Sequence, residues 1–423
     1  MTDHARPTTT RDLPDFAVRA VMPAPGSVRG VRPDFDRFCA IHRFGALDGL
    51  RALSAIAVVW HHTVDTQGPV IAGREYFAFG LHSVGGEGVD LFFAISGFLI
   101  TTLLVREYNA TARISLRKFY ARRSLRIFPL YYLTLLVCIA TTLVKPAWRD
   151  SPVDVRFVHY LPAFVTYTPN WFLDSGDKFF SAWSLATEEQ FYLLWPPLLV
   201  GALAIGRGRV WIPLAVVSAL VVISQSSVLV ADTSVLPGRI PASLSLPILL
   251  GAAAALVASA PRGFALLAFV FGRSWSAPAV ALALAIVLEV VAQQELFQSL
   301  IVAVVVRCLM VAVVVSVCLV ERTSLHPLLQ WRPLAFVGVI SYGVYLLHPL
   351  CINAIREVLH QNYGPLLFAE ALVSVVVLAY LSFRYFETPL LRLKRRFETK
   401  DQSEGDELTR ITGNKDQGRG RES

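Results

Sequence analysis

The chain is short of charge. Asp, Glu, Lys and Arg make up 17% of its 423 residues, where a soluble domain carries about a quarter. With 54% hydrophobic residues and a mean hydropathy of +0.53, a soluble fold would expose large apolar patches. That excludes an ordinary cytosolic enzyme, and equally a disordered chain. Cysteine is scarce too. Cys39, Cys138, Cys308, Cys318 and Cys351 have neither metal nor redox spacing, so no disulfide scaffold and no metal site is expected. No internal repeat is evident, which speaks against a transporter built from inverted halves. The first 43 residues are polar and hold neither an uninterrupted apolar core nor a small-residue cleavage site, so no cleaved signal peptide is read there.

Long apolar runs are what the sequence has instead. Residues 127–144 contain no charged side chain, and 334–355 contain no Asp, Glu, Lys or Arg. Runs of this length read as membrane-spanning helices. The pattern predicts an all-α polytopic membrane helix bundle of about ten spans, near 46–64, 88–105, 127–144, 186–205, 210–227, 241–260, 276–293, 299–320, 334–356 and 366–386. Gly263–Gly272 is apolar but short, half of a broken span at most. The aromatic stretch 157–172, interrupted by Pro162 and Pro169, is expected to lie at the interface or re-enter.

Basic residues test that count, because cytoplasmic loops are enriched in Lys and Arg. Ten spans put both termini on one side, together with Arg106, Arg113, Arg117, Lys118, Arg122, Arg123 and Arg126. Both termini are therefore expected to be cytoplasmic, in a multi-pass protein of the cytoplasmic (inner) membrane. The net charge of +8 follows from this asymmetry and from the anionic inner leaflet. No nucleic-acid partner is inferred. Three regions result: a cytoplasmic, flexible tail (1–43), a membrane domain (44–392), and a basic, disordered cytoplasmic tail (393–423).

Charges inside spans are costly and point to function. In the first span Arg51 and His62 are eleven positions apart, about three turns, so they share a face about 16 Å apart along the axis. Asp48 lies one turn before Arg51, and His61 points elsewhere. The plain alternative is that Arg51 snorkels to headgroups and His62 caps the outer end. Asp90 opens the second span, where an interfacial cap is the simple reading. Ser96 and Gly97 suit close helix contact better than nucleophilic chemistry. Arg123 and Arg126 are one turn apart. They read either as a positive-inside anchor or as a paired surface for phosphate. Glu188 and Glu189 open another span, where the helix dipole alone would favour them. Tyr345 and His348 share a face of the ninth span, where a histidine usually hydrogen-bonds between helices. Glu387 is most simply a partner for a nearby arginine. Glu289, Arg307 and Glu370 are further intramembrane charges whose partners the sequence does not show.

Six stretches taken together are specific: LDGLRALSAIAVVWHH (47–62), GVDLFFAISGFLIT (88–101), FYARRSLRIFPLYY (119–132), AWSLATEEQFYLLWP (182–196), SYGVYLLHPL (341–350) and RYFETPLLRL (384–393). In this order they resemble the acyltransferase 3 family of multi-pass membrane O-acyltransferases. The resemblance implies transfer of an acyl group, commonly acetyl, from cytoplasmic acyl-CoA to a hydroxyl, usually of an envelope carbohydrate or a secreted metabolite. Acyl-CoA is then a co-substrate, and no cofactor is permanently bound. The other partners are membrane lipids and a carbohydrate or lipid-linked glycan acceptor. The family's arginine–histidine motif falls on Arg51 and His62, its arginine pair on Arg123 and Arg126, and its glutamate on Glu188. The chain resembles members without a fused hydrolase-like domain.

The expected site follows from these matches. His62 and Glu188 are the catalytic pair, and Arg51, Arg123 and Arg126 bind acyl-CoA. Asp48, Asp90, Tyr345 and His348 bind or orient the acceptor. Direct transfer and a covalent acyl-histidine both remain open. Two other functions compete: acylation of an antibiotic or other small metabolite, and a transporter without acyl chemistry.

Overall fold

The computed structural model describes residues 32–41, 43–63, 70–71, 74–75, 85–144, 148–173, 178–293, 299–320, 323–360 and 364–392. Apart from one two-residue antiparallel pair, Val70–Ile71 with Arg74–Glu75, its regular elements are helical. The main helices are α1 (Arg32–Ala40), α2 (Gly45–Thr63), α3 (Glu87–Thr111), α4 (Leu116–Leu143), α5 (Ala182–Ile205), α6 (Trp211–Val230), α7 (Leu246–Ala258), α8 (Ser276–Gln293), α9 (Leu300–Leu319), α10 (Ser341–Leu359) and α11 (Pro365–Ser382).

A helix lies over each of the expected stretches. Among the described residues, five helices are long and apolar enough to cross a membrane, or up to eight if each bent pair is one span. Pro261–Phe271 joins α8 at a 70° bend, so the short apolar stretch is indeed half of a broken pair. Arg332–Val339 meets α10 at 75°. The two remaining long helices, α2 and α5, fall below that apolarity. They carry Asp48, Arg51, His61 and His62, and Glu188, Glu189 and Gln190. The 157–172 region forms short helices, with Pro162 and Pro169 in their first turns, where a missing N–H costs nothing.

The outer surface is apolar, with Leu193, Phe269, Ile301 and Val373 all exposed. Against lipid, such side chains gain nothing by hiding, so the helices are held by shape and by buried polar contacts. A close backbone approach joins α3 to α7. A Cβ on Gly97 would lie 1.9 Å from the Ile248 carbonyl oxygen, and one on Gly251 2.3 Å from that of Ala94. Gly97 is thus the packing residue expected at that position. A second tight contact sets Gly338 on the backbone of Asp48, where a Cβ would meet the carbonyl oxygen at 1.8 Å.

Part of the expected N-terminal tail is ordered. Residues 32–40 form α1, whose Phe38 is buried against Phe44 and Phe264. Arg106, at the end of α3, donates to the carbonyls of Phe38 and Ile41 and stacks over the rings of Phe38 and Phe44. Its guanidinium is a staple rather than a free loop charge, something a polar, arginine-rich stretch does not reveal. The rest of the N-terminal tail and the 393–423 tail lie outside the described residues.

Tight glycine contacts yield a first test. Gly97→Val forces α3 off α7 and should cost about 1–3 kcal/mol, seen as a lower melting temperature in detergent. Gly201, with nothing within 4 Å of an added Cβ, should accept Ala with no loss.

Candidate active site

Helices α2, α3, α4, α5 and α10 enclose a cavity of about 1020 Å³. It follows α3 from Phe92 to Thr111, a rise of about 28 Å. At its mouth stand Cys39, Ile41 and Arg43 beside Asn109–Thr111; at its far end are Ser184 and Tyr345. The 75° bend before Ser341 turns α10 so that Ser341, Tyr342 and Tyr345 face inward.

Six arginines line this space, among them Arg51 of α2 and Arg123 and Arg126 of α4. The charges of these three repel one another, and nearby groups hold them. Asp48 meets Arg51 at 3.5 Å and Arg43 at 2.6 Å. Arg123 lies over the ring of Tyr192, 4.7 Å from its centroid. Glu387, bonded by Ser382 at 3.1 Å, acts on Arg126. Asp48 was expected beside the acceptor. It stands fourteen residues from His62, about 21 Å along the helix, and pairs with Arg51 and Arg43.

Glu188 faces the cavity, within reach of the charges of Arg51 and Arg123. Its Oε1 accepts a hydrogen bond from Ser96 Oγ at 2.7 Å. Two residues on, Gln190 points away and donates to the Tyr167 carbonyl and Asn170 Oδ1, both at 2.9 Å. It ties the short outer helices to α5. Two polar residues two positions apart on α5 therefore divide into one facing the cavity and one holding structure, as a step of about 200° requires. Ser96, expected only to allow close contact, also anchors Glu188.

The histidines lie beyond the cavity's far end. His62 Nδ1 is 2.8 Å from the Val58 carbonyl; a carbonyl only accepts, so Nδ1 is the protonated nitrogen and Nε2 is available. Phe180 stacks on the His62 ring at 4.6 Å, and the His348 ring is 5.1 Å away. His61 turns aside and packs on Gly85. Neither His62 nor His348 lines the cavity. Tyr345 stands between, with its ring 5.6 Å from His348 and its hydroxyl 2.5 Å from Ser184 Oγ. Phe180 and Ser184 carry no sequence signal that sets them apart from other apolar or small residues at a helix start.

Asp90, expected to bind or orient the acceptor, does not line the cavity, whereas Val89, Phe92 and Phe93 of the same turn do. It forms an ion pair with Arg307 Nε of α9 at 2.9 Å. The pair also supplies the partner that Arg307 needs in an apolar helix. Among the described residues, no group of three or more His, Cys, Asp or Glu could hold a metal ion.

Residues 44–384 match the acyltransferase 3 family, described as an acyltransferase domain. The chain is 30% identical over 373 residues to the "Putative peptidoglycan O-acetyltransferase YrhL" of Bacillus subtilis, and 26% identical over 377 residues to the peptidoglycan O-acetyltransferase OatA of Listeria monocytogenes. Each alignment covers 82% of this chain and 55% of the relative, so the chain spans about half the length of these curated relatives. A "Putative O-acetyltransferase" of Staphylococcus aureus is 33% identical over 177 residues, covering 39% of this chain and 26% of the relative. No solved structure matches the chain.

The Asp90–Arg307 pair gives the second test. Arg307→Ala strands a carboxylate in an apolar bundle and should lower the melting temperature, by about 3–5 kcal/mol in stability. Combining Asp90→Asn with Arg307→Gln should recover most of that loss and leave any transfer activity intact, because neither side chain lines the cavity.

Proposed function

Because the chain belongs to the acyltransferase 3 family, we propose that it moves an acyl group, acetyl in the first instance, from cytoplasmic acyl-CoA to a hydroxyl of an envelope carbohydrate. The carrying observation is the arginine-lined cavity that leads from the mouth beside α1 towards the histidines. The names of two relatives make peptidoglycan the acceptor to try first. The reading takes α2 and α5 as spans alongside the eight, ten in all, with both termini cytoplasmic and the protein in the cytoplasmic membrane. The mouth then opens to the cytosol.

Each side chain has a place in this scheme. Arg51, Arg123 and Arg126 hold the phosphates of acyl-CoA, with Arg51 steadied by Asp48. Bidentate guanidinium contacts suit that group. The pantetheine arm runs along α3 past Glu188, which Ser96 holds in position. A thioester at the Ser184 end is one aromatic ring from the histidines, and turning Tyr345 off Ser184 opens the way. His62 Nε2 takes the acceptor's hydroxyl proton as the oxygen attacks the thioester carbon. The carbon–sulfur bond breaks, and the proton passes to the leaving thiolate. Acyl-CoA is a co-substrate, and the scheme calls on no resident cofactor. No feature of the site favours a small metabolite over a glycan.

Purified protein in nanodiscs, given radiolabelled acetyl-CoA and muropeptides, tests this. His62→Ala should fold normally and lose at least about 100-fold in transfer rate. Arg126→Ala should raise KM for acetyl-CoA by about 10-fold or more, the worth of one charge-assisted bond. Undiminished acylation by His62→Ala overturns the scheme.

A further inference from the structure

Helix α10 breaks its own hydrogen-bond ladder next to His62. Pro349 lies four residues after Tyr345 and has no N–H to give to the Tyr345 carbonyl. His348 takes over that acceptor, with Nδ1 2.5 Å from the Tyr345 oxygen. A carbonyl only accepts, so the proton of neutral His348 is on Nδ1, and Nε2 carries the lone pair. His348 is 1% exposed, and its Nε2 is buried without a hydrogen-bond partner among the described residues. A buried acceptor without a donor is costly, and groups left so call for an explanation.

The neighbour supplies one. His62 is held in the same way, with Nδ1 on the Val58 carbonyl and its own Nε2 available. The ring centroids are 5.1 Å apart and tilted by 52°, close enough for a direct nitrogen–nitrogen hydrogen bond after a small turn of either ring. Phe180 flanks both, at 4.6 Å from His62 and 5.7 Å from His348. Arg356, two turns further along α10, donates to the His62 carbonyl at 2.9 Å. One helix thus positions both the second imidazole and the backbone of the first.

We propose that His348 is a positioning residue for His62, and that Pro349 fixes its tautomer so that its Nε2 receives the hydrogen bond of a protonated His62. This rests on the acyl-transfer reading above. When the acceptor's O–H bond breaks, its proton goes to His62 Nε2. That N–H then points to His348 Nε2 and stays on the pair until the thiolate released from the thioester takes it. With both nitrogens lone-paired in the resting state, the pair has room for one proton, which is what the reaction generates and consumes.

The tautomer is visible directly. In wild-type protein labelled with 15N-histidine in detergent, His348 should show a protonated Nδ1 and a bare Nε2. Pro349→Ala returns an N–H to the Tyr345 carbonyl and should mix the two tautomers while holding or raising the melting temperature. Its kcat should fall about 10-fold. In His348→Asn the side-chain amide can keep the bond to Tyr345 but offers nothing in place of Nε2. It should melt like wild type and keep KM for acetyl-CoA, with kcat down about 10- to 100-fold. His348→Gln, whose amide oxygen can stand in for Nε2, should recover part of that loss. A wild-type Nε2–H tautomer, or wild-type kcat in His348→Asn, overturns the proposal. If wild-type protein transfers no acyl group, the proposed function fails instead, and the 15N spectrum alone decides the tautomer.

Discussion

The backbone contact between α3 and α7 is the constraint on which the rest of the structure depends. In lipid, helices gain no hydrophobic energy by associating, so a contact must be made by close fit. Gly97 and Gly251 bring two main chains together where any side chain would collide. One residue before Gly97, the same helix turns Ser96 the other way, onto Glu188. The position of the cavity wall therefore depends on the packing behind it. Asp90 uses a third direction on α3, towards Arg307. A single helix thus carries a packing face, a cavity face and an ion-pair face.

An apolar environment also explains the grouping of charge. A lone guanidinium within a bundle is expensive, yet three come together here. Asp48, Glu188 and Glu387 offset them, and the ring of Tyr192 covers one. The histidines lie apart, among Phe180 and Tyr345. These three arginines and the two imidazoles thus occupy different compartments, and the cation beside the imidazoles is Arg356, bonded to the His62 carbonyl. Tyr345, through its bond to Ser184, is the partition between them.

Much of this was legible in sequence. Apolar runs located the helices, because a membrane allows few other ways to satisfy a backbone. Helical spacing put Arg123 and Arg126 on the same cavity. Where the reading failed, the missing information was the identity of a distant neighbour. An acid at the start of α3 looks the same whether it faces a substrate or Arg307, which is more than two hundred residues later. The α1 helix was read as tail because its burial depends on Phe264 and Arg106, which local composition does not report. Ser184 and Phe180 acquire meaning only from α10 and α2.

The stapling of α1 by Arg106 has a consequence for how such a protein diversifies. Cys39, Ile41 and Arg43 form part of the cavity's rim, and they belong to the chain ahead of its first long membrane helix. The far end of the cavity is built from α5 and α10. Changes in the leading segment can reshape what enters without disturbing the residues at the other end, and the reverse also holds. On the proposed function, admission and chemistry are encoded in separate parts of the sequence, and selection can tune one while the other stays fixed.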